Sequence, residues 1–195
     1  MERNGFFVIK IAMAILFGMA VAILPLQAED KEKIDQKKAD ISKMAEETLA
    51  SLYKTKPSTK QNIADAAGYA VFSSFGMKLK LVGGGSGKGM AVDNKTKQET
   101  FMKMAELQAG LGFGVKKFRL IWIFEKQDDL NKFINTGVEL TGQTTAAAKA
   151  GGEGKAFAGA ISISPGVWLY QLTDEGLALD FTAKGTKYFK DKTLN

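Results

Sequence analysis

The sequence predicts an α+β fold, a single domain in which amphipathic helices precede a β-rich region. Apolar residues recur at helical spacing between residues 31 and 53, whereas short alternating or fully apolar runs, separated by turn residues, dominate after residue 68. The chain has 195 residues, of which 45% are hydrophobic and 25% charged, which is typical of one globular domain with a sizeable core. We therefore expect a helical lead-in at residues 29–67 and a sheet-rich core at residues 68–195.

The first 28 residues are expected to form a secretory signal peptide. Arg3 and Lys10 lie in a basic start, residues 11–26 are almost wholly apolar, and the small residue Ala28 ends the segment. The apolar run is shorter than the roughly 20 residues that a membrane-spanning helix needs. We expect cleavage after Ala28 and a periplasmic or secreted protein that associates with membranes. A retained membrane anchor is the alternative.

The sequence pattern of the lead-in predicts two helices, a long one at residues 31–53 and a short one at residues 59–67. Pro57 ends the first helix, and Ser58 with Gln61 has the spacing of a capping box for the second. Acidic and basic side chains balance around the long helix, which predicts a solvated polar face. Its apolar stripe consists of Ile34, Ile41, Met44, Ala45, Leu49 and Leu52.

The core predicts a series of short strands and one short helix. Strands are expected at residues 69–73, 77–82, 90–93, 100–104, 118–124, 138–140, 156–163, 167–172 and 177–182, and a helix at residues 128–134. Residues 106–124 carry either two strands or one long bent strand. Because Lys78 and Lys80 alternate with Leu79, the strand at residues 77–82 is expected to be half-buried with a basic outer face. Residues 184–195 are expected to form a basic tail.

The segment LVGGGSGKGM at residues 81–90 suggests a phosphate-binding loop but does not fit one. Such a loop needs glycine at position 82 and serine or threonine at position 89, where this chain has Val82 and Gly89. A dinucleotide-binding motif would need its third glycine where Lys88 or Met90 stands. A strand rather than a helix is predicted to follow. We expect no nucleotide binding, and a tight connection between two strands.

The composition argues against several classes of function. The chain has no cysteine and no histidine, which excludes disulfides, a lipoprotein cysteine, the common catalytic triads and most zinc sites. We expect no metal, no cofactor and no enzymatic activity. The competing hypothesis is a carboxylate-based enzyme using Asp174, Glu175 or Asp180, whose pairing cannot be established from spacing. The net charge of +6 is not concentrated into the Lys/Arg stripe typical of nucleic-acid binders, so we expect no nucleic acid partner.

Six motifs follow the helical lead-in in a characteristic order. They are GYAVF at 68–72, GGGSGKG at 83–89, QAGLG at 108–112, LIWIF at 120–124, LNKF at 130–133 and GLALD at 176–180. In order and spacing this chain resembles the SYLF family of lipid-binding domains, over about residues 35–190, and looks like an exported bacterial-type member. The resemblance implies a β-rich domain without enzymatic activity, with a mostly antiparallel, strongly curved or barrel-like sheet, associated with phospholipid membranes.

Two features limit what the resemblance carries over. Eukaryotic SYLF proteins are linked to phosphoinositides and actin, whereas this lead-in helix has no net charge and an exported protein would not normally meet either partner. We therefore expect binding to a generic anionic phospholipid or membrane surface, and leave protein partners unassigned. The alternative is a structural or carrier module that holds a hydrophobic ligand or protein partner between a glycine-lined sheet face and the helices.

The candidate lipid-binding residues are six cations near the glycine segment and on the following strand region. Each exposed cation near an anionic surface contributes on the order of 1 kcal/mol, so that a cluster can dock a protein on a membrane. The competing interpretation is that these charges only keep a wet surface soluble. The six are Lys78, Lys80, Lys88, Lys116, Lys117 and Arg119.

Overall fold

The fold is known from a computed structural model, which describes most of the chain. It describes the backbone of residues 5–79, 82–109, 114–141, 157–173, 176–178 and 185–195, and the side chains of residues 30–74, 84–106, 117–141, 157–173, 176–177 and 185–195. The chain divides into two compact units, Met1–Ala39 and Asp40–Asn195. Within these described residues, no helix is both long and apolar enough to cross a bilayer.

Three helices are present in the described part of the chain: α1 (Gly5–Thr55), α2 (Thr59–Asp65) and α3 (Gln127–Asn135). The predicted stripe of α1 is confirmed at Ile41, Ala45, Leu49 and Leu52, which are buried at helical spacing, whereas Ile34 and Met44 are half-buried. The predicted capping box of α2 is wrong. Ser58 itself has helical dihedrals and makes no side-chain capping bond, and the Thr59 hydroxyl instead donates to the Lys56 carbonyl at 2.6 Å.

The described strands form one curled, half-barrel sheet with antiparallel neighbours throughout. Along the sheet the order is β5-β9-β3-β2-β1-β4-β7-β6, and β8 pairs with β7. The predicted α+β, β-rich fold is therefore confirmed. The strands are β1 (Gly68–Leu79), β2 (Val82–Asp93), β3 (Glu99–Ala109), β4 (Gly114–Phe124), β5 (Val138–Leu140), β6 (Ile161–Ser164), β7 (Val167–Thr173), β8 (Gly176–Ala178) and β9 (Thr186–Lys190).

The glycine segment is a central strand, and the predicted connection between strands at this point is wrong. Residues 83–89 lie inside β2 and pair with β1 on one side and β3 on the other. A Cβ atom at Gly89 would clash with the Phe72 ring, and one at Gly87 would lie 2.6 Å from Met104 Cγ. Glycine is therefore required where neighbouring side chains lie directly over the β2 backbone. The strand predicted after the glycines is confirmed, which is incompatible with the strand–loop–helix context of a phosphate loop.

Two further differences concern strand number. The predicted strand 69–73 and residues 77–79 of the predicted strand 77–82 form one continuous strand, β1, because Ser74, Phe75 and Gly76 pair with both β2 and β4. Val82 already belongs to β2, and residues 80 and 81 lie outside the described part of the chain. The predicted basic tail contains β9, which pairs with both β3 and β5 and buries Tyr188 completely.

One face of the sheet, which we call the inner face, carries the aromatic core. Trp122, Phe133 and Tyr188 are fully buried, with ring centroids 5.1 Å apart for Trp122–Phe133 and 5.0 Å for Trp122–Tyr188. Burial raises the pKa of the Tyr188 phenol, against the opposing effect of the Trp122 indole, so the phenol stays protonated. Since Phe133 belongs to α3, this helix covers the inner face.

The opposite face, which we call the helix face, carries the alternate residues of each strand. On it Val71 pairs with Met90 and Ile121, and all three are buried. Residues of α1 lie against this face: the Ser42 hydroxyl donates to a Glu99 carboxylate oxygen at 3.5 Å. Burial, assisted by the neighbouring Tyr53, Glu99 and Glu46, raises the pKa of the Tyr69 phenol. Residues 41–55 of α1 therefore supply the cover of the helix face.

Candidate anion-binding surface

Three of the predicted cations lie in one set of alternating positions, on the helix face. Lys88 of β2 stands opposite Ser73 of β1, and Arg119 of β4 stands opposite the same serine on its other side. Two strand spacings separate the Lys88 and Arg119 backbones, roughly 10 Å. Lys117 follows on the same side of β4, about 7 Å along the strand. Lys88 and Lys117 are exposed and Arg119 is half-buried.

The other three predicted cations are not joined to this group. Lys116 pairs with Gly76, so its backbone position belongs to the alternate set, opposite to that of Lys117 and Arg119. The backbone of Lys78 likewise belongs to the alternate set of β1, since it is an odd number of residues from Ser73. Lys80 lies outside the residues that the structure describes. The strand register thus places three of the six candidate cations, Lys88, Lys117 and Arg119, on one face of the sheet.

A further lysine beside Lys88 is neutralised by an ion pair. Lys103 of β3 pairs with Lys88 in the sheet register, and its ammonium group lies 2.9 Å from the Asp191 carboxylate. Burial raises the pKa of Asp191, but hydrogen bonds from Lys103 and the Thr193 amide outweigh this effect and hold the pKa below its ordinary value. Asp191 therefore stays ionised, and Lys103 adds little positive charge to the surface.

A pocket of about 560 Å³ lies between the end of α1 and strands β1, β4 and β7. Its walls include Lys54 from α1 and the predicted Lys117 and Arg119 from β4. Among the lining residues that the structure describes there is no acidic side chain. The pocket thus adds Lys54 to the cations of the helix face. We use the name cationic face for Lys54, Lys88, Lys117 and Arg119 together.

Hydroxyl groups make up much of the remaining pocket wall. Ser51 and Thr55 of α1 donate to the carbonyls of Glu47 and Ser51, at 2.8 and 3.0 Å, so their protons serve the helix itself. Ser73 also lines the pocket, between the positions of Lys88 and Arg119. Positive charge and the Ser73 hydroxyl, with no acidic side chain among the described lining residues, are suited to an anion.

Sequence reasoning missed Lys54, although a signal was available. Ser51, Lys54 and Thr55 are spaced i, i+3 and i+4, which places them on one side of a helix, next to the buried Leu52. The prediction assigned every lysine of the lead-in to a solvated face. Whether Lys54 lies near the cations of β4 depends on the position of α1 on the sheet, which spacing within the helix cannot indicate.

Asp174, Glu175 and Asp180 lie outside the described residues. Within the part of the chain that is described, no group of three or more carboxylates is arranged to hold a metal ion.

Comparison with known proteins gives one informative relative. The chain is 34% identical over 155 residues to beta cell expansion factor A of Aeromonas veronii, which makes it a distant homologue of that protein. The aligned region covers 79% of this chain but 57% of the relative, so the chain spans little more than half of that protein's length. No family model matches the chain.

Proposed function

We propose that this chain is an SYLF-like, non-enzymatic domain of an exported protein that binds anionic phospholipid surfaces through its cationic face. The observation that carries the proposal is the grouping of Lys54, Lys88, Lys117 and Arg119 on one side of the sheet. The order of motifs that resembles SYLF domains supports the same proposal. The name of the Aeromonas veronii relative describes an effect on beta cells and bears on neither lipid nor membrane.

The strength of docking depends on the number of cations that can approach one surface. Each contributes on the order of 1 kcal/mol near an anionic membrane, so four together amount to binding that salt weakens. The apolar part of the helix face is covered by α1 and is not available for insertion. Docking through this face is therefore electrostatic.

The alternative of a hydrophobic carrier finds no support in the described part of the sheet. On the inner face Phe72 and Met104 lie over Gly89 and Gly87, and Tyr188 packs against Phe72 at 5.0 Å between ring centroids. These side chains fill the space above the β2 glycines. The alternating glycines at positions 110 and 112, from which the carrier was predicted, lie outside the described residues.

The test is co-sedimentation of the full chain with vesicles of phosphatidylcholine alone or mixed with phosphatidylglycerol. We expect binding to the anionic vesicles that falls with added salt, and an affinity lower by on the order of 500-fold when Lys54, Lys88, Lys117 and Arg119 are all changed to Gln. The matched control changes four exposed lysines elsewhere to Gln. These are Lys60, Lys95, Lys126 and Lys132.

The control has the same net charge as the cationic-face variant, so it separates a defined surface from overall charge. An equal loss of binding in both variants would contradict the proposed surface. Equal, salt-independent binding of the unaltered chain to neutral and anionic vesicles would contradict electrostatic docking altogether.

A further inference from the structure

The pocket beside the cationic face has features that surface docking does not require. Three cations from two separate elements line it: Lys54 from α1, and Lys117 and Arg119 from β4. A flat anionic membrane needs only exposed charge, whereas here Arg119 is half-buried at the wall of a cavity. A half-buried guanidinium with two lysines around a cavity is the arrangement that selects one compact anion.

A serine hydroxyl group in the pocket wall points to the same ligand chemistry. Ser73 stands next to Arg119 in the register, within the pocket wall. The side chain of Ser74, the next residue, belongs to the alternate set of β1 positions, which is the inner face, because Ser74 pairs with Gly87 and Phe118. Ser73 is therefore the β1 serine whose hydroxyl lies on the same side of the sheet as the cations, where it can donate a hydrogen bond to an anion.

We propose that this pocket binds a single phosphate group, held between Lys54 of α1 and the Lys117 and Arg119 side chains of β4. The planar guanidinium of Arg119 matches two phosphate oxygens, and the ammonium groups supply the remaining charge. At about 560 Å³ the pocket exceeds the needs of bare phosphate, and Leu172 in its wall offers contact for an attached organic group. A phosphomonoester, either soluble or in a lipid headgroup, fits these features.

Binding at this position has a mechanical consequence. The like charges of the three cations repel one another, and an anion bound between them attracts all three. Because Lys54 lies on α1 and the other two on β4, a bound phosphate ties the end of the helix to the sheet. The proposal deepens the proposed function, since the pocket shares three residues with the cationic face, but it does not depend on a membrane.

The experiment measures binding of inorganic phosphate, glycerol 3-phosphate and uncharged glycerol to the full chain at constant ionic strength, by calorimetry and thermal unfolding. We expect saturable binding and a raised Tm with both phosphates and neither effect with glycerol. Arg119→Gln and Lys117→Gln each lower the affinity by about tenfold or more, and Lys126→Gln, an exposed lysine on the N-terminal side of α3, changes it less than twofold. Hydrogen exchange of residues 51–55 slows when phosphate binds.

Two variants keep the test decisive if one of them folds poorly, because Lys117 is exposed whereas Arg119 is half-buried. Absence of saturable phosphate binding, or equal losses in the Lys126 and Lys117 variants, would overturn the proposal. Unchanged exchange at residues 51–55 on phosphate binding would overturn the bridge between helix and sheet.

A comparison of ligands distinguishes the two sources of phosphate and separates this proposal from the proposed function. Tighter binding of short-chain phosphatidic acid than of glycerol 3-phosphate indicates a lipid headgroup, and equal binding indicates a soluble phosphomonoester. If vesicles bind but neither phosphate does, the pocket proposal fails and the proposed function stands. If the phosphates bind through Arg119 but vesicles do not, the pocket proposal stands and the proposed function fails.

Discussion

The two faces of the sheet differ in the side chains that they carry and in their roles. The inner face is filled by buried rings, among them Trp122, Phe133 and Tyr188, and α3 closes over it. The helix face is apolar along the row of Val71 and along the row of Tyr69, where Val92 and Ile123 are buried. One step further along β1, at Ser73, the positions on either side are cationic, Lys88 and Arg119.

The contrast separates residues that hold the fold from residues that are free to bind. Side chains on the inner face contact one another, so changing them alters the free energy of unfolding. Exposed cations of the helix face lie beyond these apolar rows, so changing them alters association and leaves the fold intact. The predictions below test this division, from the largest expected effect to the smallest.

The largest effect is expected from loss of a ring on the inner face. Phe133 is fully buried, and its ring centroid lies 4.9 Å from that of Phe124 and 5.1 Å from that of Trp122. Phe133→Ala is expected to lower the free energy of unfolding by about 3–5 kcal/mol, measured by urea titration. The control is Phe189→Ala, since Phe189 is 37% exposed on β9 and should matter much less. Equal losses would contradict the division between faces.

A smaller effect is expected where the glycine strand meets the inner core. Gly89→Ala forces the new methyl group against the Phe72 ring and should destabilise the fold by about 1–3 kcal/mol. In the control Gly84→Ala, the added Cβ meets its nearest atom, the Glu106 carbonyl oxygen, at 3.7 Å, an ordinary contact. Urea unfolding of the two variants compares them directly. A stable Gly89→Ala protein would show that the glycines serve some other purpose.

The ion pair of Lys103 and Asp191 predicts a dependence of stability on pH. Because the folded-state pKa of Asp191 is lowered, its contribution is fully present above the ordinary value of 3.8 and is lost as pH falls through the lowered value. Asp191→Asn should therefore reduce the free energy of unfolding by about 1–2 kcal/mol at pH 7. The difference from the unaltered chain should shrink below pH 4. A difference that is constant from pH 7 to pH 3 would rule out this account, and Asp128→Asn serves as an exposed control.

The smallest effect on stability is expected on the cationic face. Lys88→Gln should change the free energy of unfolding by less than about 0.5 kcal/mol, because its side chain is exposed. The same change should weaken binding to anionic vesicles by about fivefold, which corresponds to the loss of one cation near the surface. Unfolding and co-sedimentation measured on one preparation test both statements. A loss of stability without a loss of binding would show that Lys88 stabilises the fold and does not contact the membrane.

Local patterns were sufficient to predict much of the fold. The stripe of α1, the buried strand at residues 118–124 and the helix near residue 130 all follow from hydrophobic periodicity, which short segments carry by themselves. The glycine strand did not follow, because glycine is depleted in strands and its cause here is tertiary, the Phe72 ring lying over Gly89. β9 was missed for a related reason, since a short segment rich in lysine gains its place by pairing with β3.

The candidate site was predictable only within single elements. Alternation along β4 is enough to place Lys117 and Arg119 in one set of positions and Lys116 in the other. The alignment of Lys88 with Arg119 through Ser73 requires the register of three strands, which no local pattern determines. The contribution of Lys54 requires in addition the position of α1 on the sheet.

The most direct test of the account asks which face meets the membrane. Because the chain has no cysteine, one introduced cysteine carries a single environment-sensitive fluorophore. The two label sites are Ser86→Cys, exposed on β2 beside Lys88, and Asn135→Cys, exposed on α3 over the inner face. With anionic vesicles the account predicts a blue shift of the Ser86 label and an unchanged Asn135 label. A shift confined to Asn135, or equal shifts at both sites, would contradict docking through the cationic face.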